Sequence, residues 1–194
     1  MPKTATPKTA VKERDAERTK RALLLAAQKL FSIRGYAEVG VRDIAAEVGI
    51  NPALVAYYFG SKKGLFAAAL DELMRPEYFT SLHRARFGVE LVDRISKASS
   101  ERAEALPMLV YAVSNAEARK IALTLLEEKI AVPLRQSLGD DSAAEERVAR
   151  IMAVAMGFSI FQHLLPLRSM AGPLAPSTRR WLAHTFQCII EEAP

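Results

Sequence analysis

The chain lacks the features of an exported or metal-binding protein. It contains one cysteine, Cys188, among 194 residues, so no disulfide can form within the chain. A reducing cytoplasm is therefore the expected location. The first residues show no apolar stretch of the signal-peptide kind, and no apolar run reaches the roughly 18 residues that a membrane-spanning helix needs. The three histidines stand far apart, which predicts no metal site and no cofactor.

Motifs of catalysis are also missing. The sequence has no glycine-rich phosphate loop, no nucleophile elbow and no paired carboxylates in a catalytic motif. The strongest hint of an enzyme is His184 followed four residues later by Cys188, which places both on one face of a predicted helix. Because a buried cysteine usually behaves as a small hydrophobic residue, the sequence favours a protein that is not an enzyme.

Positive charge is concentrated in the first third of the chain. Residues 1–63 carry 12 Lys and Arg against 6 Asp and Glu, whereas residues 64–194 carry 15 against 16. Half of all residues are hydrophobic, which is enough for a sizeable core. A basic end on an otherwise balanced chain is typical of a nucleic-acid-binding segment, although a solvated basic face has the same composition.

The most informative segment lies mostly within that basic third and has the pattern of a helix-turn-helix. Apolar residues at helical spacing between Val41 and Val48 predict a first short helix, and Gly49 breaks the pattern where a turn needs a positive φ. Asn51 is a suitable N-cap for a second helix. Pro52 fits the first helical position, because its missing N–H costs nothing there. The order is that of a support helix, a turn and a recognition helix.

Polar side chains beside these helices favour DNA as the partner. Tyr57 and Tyr58 lie late on the second helix, and Lys62 and Lys63 open the next one. Phenolic hydroxyls, lysines and helix N-termini are the donors that hold DNA phosphates. A helix pair that served only to build a core would not need this cluster, so we expect double-stranded DNA to bind here.

This region resembles the tetracycline-repressor (TetR/AcrR) family of bacterial transcription regulators. The resemblance runs from about Thr19 to Leu70. The positions that match the family pattern are Ala27, Leu30, Phe31, Gly35, Tyr36, Asp43, Ile44, Ala45, Gly49, Tyr58, Phe59, Ser61 and Lys62. The resemblance implies a homodimeric, all-helical regulator, usually a repressor, that a small ligand releases from DNA. The sequence departs from the family pattern at Gly40, at Val55-Ala56 and at Tyr58, and the first two departures remove DNA contacts that are common in the family.

Two roles are expected on the DNA-binding surface. The turn puts the N-terminus of the recognition helix into the major groove, which favours readout by residues near that end. The residues expected nearest the base edges are Arg42, Asn51, Pro52 and Ala53. The residues expected to hold phosphates are Tyr57, Tyr58 and Lys62.

The remaining sequence also predicts helices, and no segment alternates with the period of a strand. We expect an all-α fold of about nine helices, with an N-terminal three-helix helix-turn-helix domain and a C-terminal helical domain for ligand binding and dimerisation. The expected divisions are a disordered basic tail over 1–14, a DNA-binding domain over 15–75 and an effector domain over 76–194. The first helix is expected over about Asp15 to Arg34.

Local signals predict how the helices after the fourth one begin and end. Phe87 and Gly88 are expected to interrupt the helix or broken pair of helices that follows Pro76. Ser114 and Glu117 have the spacing of a capping box, which predicts the start of a further helix at Ser114.

A dimer is expected from the apolar segment between Val148 and Phe161. A helix that is apolar all round must be buried all round, which predicts one face on its own core and another on a second subunit. A purely intramolecular core is the alternative. The resemblance implies that the last two helices of each subunit form a four-helix interface. The expected interface residues are Ala149, Ala153, Gly157, Trp181, Phe186 and Ile189.

A ligand pocket is expected between the helices of the second domain, lined by its aromatic and methionine side chains. The expected lining residues are Phe87, Met108, Tyr111, Met152, Met156 and Phe158, each of which has ordinary core packing as its alternative. Such a lining suits an apolar or amphipathic effector. The alternative function is a helix-turn-helix protein with no small-molecule inducer, which acts architecturally on DNA or docks another protein.

Overall fold

The computed structural model describes residues 7–97, 100–139 and 143–192, and every regular element in these ranges is a helix or a helical turn. This confirms the predicted all-α fold. The N-terminal part consists of α1 (Pro7–Glu38), α2 (Val41–Val48), α3 (Ala53–Phe59) and α4 (Lys62–Leu73).

The C-terminal part consists of α5 (Glu77–Thr80), α6 (Phe87–Ser96), α7 (Ser100–Ala112), α8 (Ala116–Leu126), α9 (Val132–Leu138), α10 (Ala144–Ser159) and α11 (Pro176–Glu191). A 3₁₀ turn, Arg84–Arg86, leads into α6. A π turn, Glu127–Ala131, joins α8 to α9 without a break, and a second one, Ile160–Leu164, extends α10. If α8 and α9 count as one helix and the single turn of α5 is left out, the described ranges contain nine helices, as the sequence predicted.

The first helix starts earlier than the sequence predicted. Residues 7–14, expected to belong to a disordered tail, are helical, and residues 1–6 lie outside the described ranges. Proline is tolerated in the first turn of a helix, and the Ala, Lys, Glu and Arg that follow Pro7 are good helix formers. Near the other end, Gly35 has φ 75° and ψ 167°, so the regular helix is interrupted close to the predicted end at Arg34.

The predicted interruption at Phe87 and Gly88 is wrong. Both residues belong to the first turn of α6, and the break precedes the 3₁₀ turn. The glycine is needed for packing, because a Cβ on Gly88 would lie 1.9 Å from the carbonyl oxygen of Ala183 on α11. The backbone N–H of Gly88 also donates to Oε1 of Gln187 on α11 at 3.0 Å. Gly88 therefore marks a close helix crossing, which sequence alone does not distinguish from a break.

The predicted cap of α8 is displaced by one residue. Oδ1 of Asn115 accepts hydrogen bonds from the backbone N–H groups of Glu117 and Ala118 at 3.1 and 3.0 Å, so Asn115 is the N-cap. Ser114 instead donates from Oγ to the carbonyl oxygen of Tyr111 at 2.8 Å. The carboxylate of Glu117 is thereby left available for contacts outside its own helix.

One hydrophobic core joins the N-terminal helices to α7 and α8. Phe66 of α4 packs edge-on against Phe31 and Tyr36 of α1, with ring centroids 5.1 and 5.0 Å apart. The same core includes Met108 of α7 and Ile121 of α8. The predicted domain boundary near residue 75 falls between α4 and α5, but the packing crosses it, since α4 contacts α1, α7 and α8.

A second core lies between α6, α9, α10 and α11. Its largest fully buried side chains include Phe87, Leu134, Ile151 and Phe186. Arg84 closes one end of this core, donating from Nη1 to the carbonyl oxygen of Leu138 and from Nη2 to that of Ile190, both at 2.8 Å. The last carbonyls of two helices thus receive a charged donor.

The contact of α6 with α11 gives a stability prediction. Gly88→Ala forces the two helices apart, and we expect it to lower the free energy of unfolding by about 1–3 kcal/mol. Val89→Ala is the matched control, because Val89 is its neighbour and faces solvent; its effect should stay within about 0.5 kcal/mol. Urea denaturation followed by circular dichroism measures both, and equal stability of the two variants would contradict the proposed close crossing.

Candidate DNA-binding surface and effector cavity

The turn between α2 and α3 has the geometry that the sequence predicted. Gly49 adopts the left-handed conformation with φ 72° and ψ 34°, and the chain reverses there. Gly40 precedes α2, and its backbone N–H donates to Oδ2 of Asp43 at 2.7 Å. Ile44 faces the core with no exposed surface, which fixes the support helix against α1.

The recognition helix α3 begins as expected. Oδ1 of Asn51 accepts from the backbone N–H of Ala53 at 2.9 Å, so Asn51 caps the helix, and Pro52 has helical dihedral angles, φ −55° and ψ −25°. Val55 is fully buried and fastens α3 to the core. The opposite side of α3 faces solvent, and Tyr57 is 77% exposed there.

Most of the residues predicted to contact DNA lie on the surface. The exposed ones are Arg42, Asn51, Pro52, Ala53 and Tyr57, and the half-buried ones are Tyr58 and Lys62. The Tyr58 ring packs between those of Tyr57 and Phe59, with centroids 5.0 and 6.4 Å away. The turn therefore presents its polar and small residues outward, while the roles assigned to them stay predictions.

The start of α4 is held by its own cap and by a glycine. Oγ of Ser61 accepts from the backbone N–H of Gly64 at 3.1 Å, as an N-cap should. A Cβ on Gly64 would lie 2.0 Å from the carbonyl oxygen of Phe59, so the chain passes from α3 to α4 too tightly for a larger residue. This turn fixes the angle between the recognition helix and α4.

A polar cluster that sequence reasoning missed lies at this end of α4. We define it as Tyr36, Lys62, Lys63 and Glu117. The Tyr36 hydroxyl donates to Oε2 of Glu117 at 2.5 Å, and Nζ of Lys63 lies 3.9 Å from Oε1 of the same carboxylate. Nζ of Lys62 lies 4.3 Å from the centre of the Tyr36 ring. No sequence pattern links residue 117 to residues 36 and 63, because only the tertiary fold brings them together.

The surroundings shift the pKa values of two groups in the cluster, Tyr36 and Lys62. Burial, followed by the bond to Glu117, raises the pKa of the Tyr36 hydroxyl well above its usual range. Tyr36 therefore remains a donor to Glu117 at any working pH. Burial lowers the pKa of Lys62, and the negative charges of Glu117 and Asp43 oppose that shift.

A cavity of about 140 Å³ lies between α4, α5, α6, α7, α8 and α10. Its apolar walls include Met74, Leu106, Leu109, Leu126, Ile130, Met152 and Met156. Polar groups at its edge include His163, whose Nε2 donates to the carbonyl oxygen of Ile95 at 2.9 Å. Arg94 is another, donating from Nη1 to the carbonyl oxygen of Glu77 at 2.7 Å.

Only two of the six predicted pocket residues line this cavity. Met152 and Met156 do so, four residues apart on α10. Phe87, Met108 and Phe158 are buried in the two cores instead and do not line this cavity. Tyr111 is partly exposed and packs beside Gly35. A Cβ atom added to Gly35 would lie 3.1 Å from the Cβ atom of Tyr111.

The predicted dimer residues divide into surface and core. Ala149 and Ala153 are exposed on α10, and no atom lies within 4 Å of a Cβ built on Gly157. Trp181 is 60% exposed on α11. Phe186 and Ile189 are buried in the second core of the same chain, so their expected place in a subunit interface is wrong. The surface of α10 therefore contains a strip of small residues, as the sequence suggested.

The Cys–His pair exists but lies outside the cavity. Sγ of Cys188 is 3.4 Å from Nε2 of His184, on a helix face that is exposed or half-buried. Neither residue lines the cavity described above. Within the described ranges, no cluster of three or more His, Cys, Asp or Glu is placed to hold a metal, and no helix has the length and apolarity to cross a membrane.

Comparison with known proteins assigns both halves of the chain. Residues 23–69 match the family described as bacterial regulatory proteins of the tetR family, and residues 85–190 match the tetracyclin repressor-like C-terminal domain. The chain belongs to the tetR family. It is therefore a DNA-binding transcriptional regulator, as the resemblance in the sequence implied, and α2 and α3 are its helix-turn-helix.

Individual relatives agree with this assignment. A transcriptional repressor of Mycobacterium tuberculosis, Rv3405c, is 31% identical over 154 residues, covering 78% of this chain and 76% of the relative. A regulator from Saccharomonospora viridis, solved in complex with choline, superposes with a TM-score of 0.61 at 23% identity, over 90% of this chain and 97% of that one. A tetR-family regulator from a Rhodococcus species gives 0.66 at 18% identity, over 89% and 98%.

The cap of α3 allows stability and recognition to be separated. Asn51→Ala removes the cap and should lower the free energy of unfolding by about 0.5–2 kcal/mol. Asn51→Ser keeps a capping oxygen and should retain most of the wild-type stability. Urea denaturation measures this difference. Serine cannot reproduce the bidentate contact of asparagine with adenine, so a changed base preference in Asn51→Ser, found by selection from random duplexes, would identify base readout. Equal destabilisation by both substitutions would argue against the cap.

Proposed function

We propose that the protein is a homodimeric repressor that binds a palindromic operator through two copies of α3 and leaves it when a small ligand fills the cavity. The observation that carries the DNA-binding part is the outward face of α3, which presents exposed Asn51 and Tyr57 in the basic third of the chain. The repressor named among its relatives supports repression rather than activation. Because its target is bacterial DNA, we place the protein in the cytoplasm.

We divide the DNA contacts into two groups, on the geometry of helix-turn-helix docking. Residues at the start of α3, together with Arg42 on α2, are placed nearest the base edges. Pro52 and Ala53 offer only apolar contact, for instance to a thymine methyl group, so readout by α3 should be modest. Tyr57, Tyr58 and Lys62 are placed on phosphates, which fix register without reading sequence.

The phosphate group of contacts gives a prediction with a clear salt signature. Lys62→Ala should weaken binding to all duplex sequences alike and should reduce the slope of log K against log salt by about one unit. Fluorescence anisotropy with several unrelated duplexes at different salt concentrations measures both. Arg168→Ala is the control, because it removes the same charge from an exposed position after α10. If Lys62→Ala changed which bases are preferred, the division of roles would be wrong.

The strip of small residues on α10 supports the dimer. Ala149, Ala153 and Gly157 recur every four residues on the exposed side, and together they allow a second helix to approach closely. Trp181 is a large apolar side chain left mostly in solvent on the neighbouring terminal helix. A two-fold axis through this surface would present two copies of α3 to half-sites about 34–36 Å apart, or a multiple of that spacing.

A charge placed on this strip tests the dimer. Ala153→Glu should turn a dimer at micromolar concentration into a monomer, because an unpaired carboxylate cannot be buried at low cost. Sedimentation velocity measures the mass. The affinity for the operator should fall when dimerisation is lost. Ala171→Glu is the control, since Ala171 is exposed in the loop before α11. A wild-type protein that sediments as a monomer would refute the proposal, and a dimeric Ala153→Glu variant would move the interface elsewhere.

The cavity supports a small effector with a mostly apolar body. At about 140 Å³ it is close to an engineered protein cavity of about 150 Å³ that holds benzene. Choline is bound by the Saccharomonospora relative. Quaternary ammonium groups are held by cages of aromatic rings, whereas Arg75 and Arg94 line this cavity together with Tyr78 and Phe79. We therefore favour an apolar or amphipathic effector without a positive charge.

The helix α4 is proposed as the moving part of the switch. It carries α3 at one end, and its last residue Leu73 lines the cavity at the other, together with Met74, which follows the helix. A ligand can shift this equilibrium only by binding the DNA-incompetent arrangement more tightly. Coupling of the usual 1–3 kcal/mol would weaken DNA binding roughly 5- to 150-fold.

Selection of bound fragments from bacterial genomic DNA tests the whole proposal. A repressor should recover a few palindromic sites, and the genes beside them would suggest effectors for a release assay. Uniform recovery of unrelated DNA would favour the architectural alternative. Specific binding that no tested small molecule weakens would leave a regulator without an inducer.

A further inference from the structure

The polar cluster of Tyr36, Lys62, Lys63 and Glu117 joins the two functional parts of the chain. Tyr36, Lys62 and Lys63 belong to α1 and α4, but Glu117 belongs to the first turn of α8 in the C-terminal part. Its carboxylate lies between a hydroxyl at 2.5 Å and a lysine ammonium at 3.9 Å. An anion from the effector side therefore lies beside Lys63, one of the two lysines that open α4 on the expected DNA-binding surface.

The contact between Glu117 and Lys63 is exposed, so another anion can replace the carboxylate at Lys63. The side chains of Lys63 and Glu117 are 57% and 50% exposed, so water reaches both partners. Exposed ion pairs are weak, because solvent competes with each charge. A DNA phosphate carries the same charge as the carboxylate and is held by the same kind of donor, so it can replace Glu117 at Lys63.

The position of the carboxylate is set by α8. The backbone N–H of Glu117 donates to Oδ1 of Asn115 at 3.1 Å, which fixes this residue in the first turn. Nine residues further along the same helix, about 13.5 Å away, Leu126 lines the cavity. One helix thus connects the effector cavity to the lysines of the DNA-binding surface.

We propose that Glu117 acts as an intramolecular substitute for a DNA phosphate, which holds Lys63 in the free protein and must give it up when DNA binds. This rests on the proposed role of the start of α4 in holding phosphates. The contact lowers affinity for all DNA alike, because it neutralises a charge without touching the base-reading end of α3. By reciprocity, DNA binding loosens the hold of α8 on α4, and any displacement of α8 changes the charge offered to DNA.

The test is Glu117→Gln in the full-length protein, with an unrelated 25-base-pair duplex as the probe. Glutamine still accepts the hydrogen bond from Tyr36 but has no charge, so the fold and the contact geometry are kept. We expect binding at about 0.1 M salt to tighten about two- to fivefold. The slope of log K against log salt should steepen by up to about one unit, because one more lysine meets a phosphate.

Two further variants make the result specific. Glu127→Gln removes the same charge from an exposed position ten residues along, about 15 Å away on an ideal helix. This exceeds the screening length of about 8 Å at physiological salt, so binding should be unchanged. In a Lys63→Met background, adding Glu117→Gln should give less tightening than it gives in the wild type, since the released partner is gone.

The outcomes separate this inference from the proposed function. A wild-type protein that binds no duplex DNA would overturn both. If Glu117→Gln left DNA binding unchanged or weakened it, only the proposal that Glu117 substitutes for a phosphate would be overturned. An equal gain in Glu127→Gln, or a full gain in the Lys63→Met background, would overturn the same proposal. Thermal melting monitored by circular dichroism shows that each variant is folded before its affinity is compared.

Discussion

The burial of α4 between two sets of helices is the constraint on which the rest of the structure depends. Leu65, Phe66 and Leu70 have almost no exposed surface, and they pack in a core that includes α1, α7 and α8. Burying each such side chain contributes roughly 1.5–3 kcal/mol. The recognition helix is joined to α4 by a turn too tight for a side chain at Gly64. Its orientation therefore follows from packing on both sides of α4.

The caps and the turn of the helix-turn-helix could be predicted from sequence because each of these signals acts within a few residues. The left-handed Gly49 and the Asn51 cap are both found where their patterns predicted them. Gly88 shows the limit of such reasoning. Its role depends on Ala183, almost a hundred residues away, and a glycine that admits a neighbouring helix looks in sequence like one that breaks its own.

The cavity shows the same limit at the level of side-chain type. Met108 and Met152 are chemically identical and both lie on helices of the C-terminal part, yet the first is buried in a core and the second lines the cavity. Hydrophobic periodicity reports that a residue points inward, but it does not report whether neighbours fill the space beside it. The expectation for Phe186 and Ile189 shows a related limit. An apolar helix face can be buried in the core of its own chain as well as in a subunit interface, and these two residues lie in the core.

The balance of forces on α4 decides what kind of switch this fold allows. Apolar burial holds the helix in place, while polar contacts tie it to each neighbour: Asp71 to Lys129 of the π turn at 2.8 Å, and Glu72 to Gln28 of α1 at 3.0 Å. The contact of Asp71 with Lys129 is open to solvent, and such polar contacts are much weaker than the burial of several large side chains. An effector whose coupling amounts to 1–3 kcal/mol can therefore exchange such contacts, although it cannot extract α4 from its core. A small rotation or slide of α4 within the packed core is the motion that these energies permit.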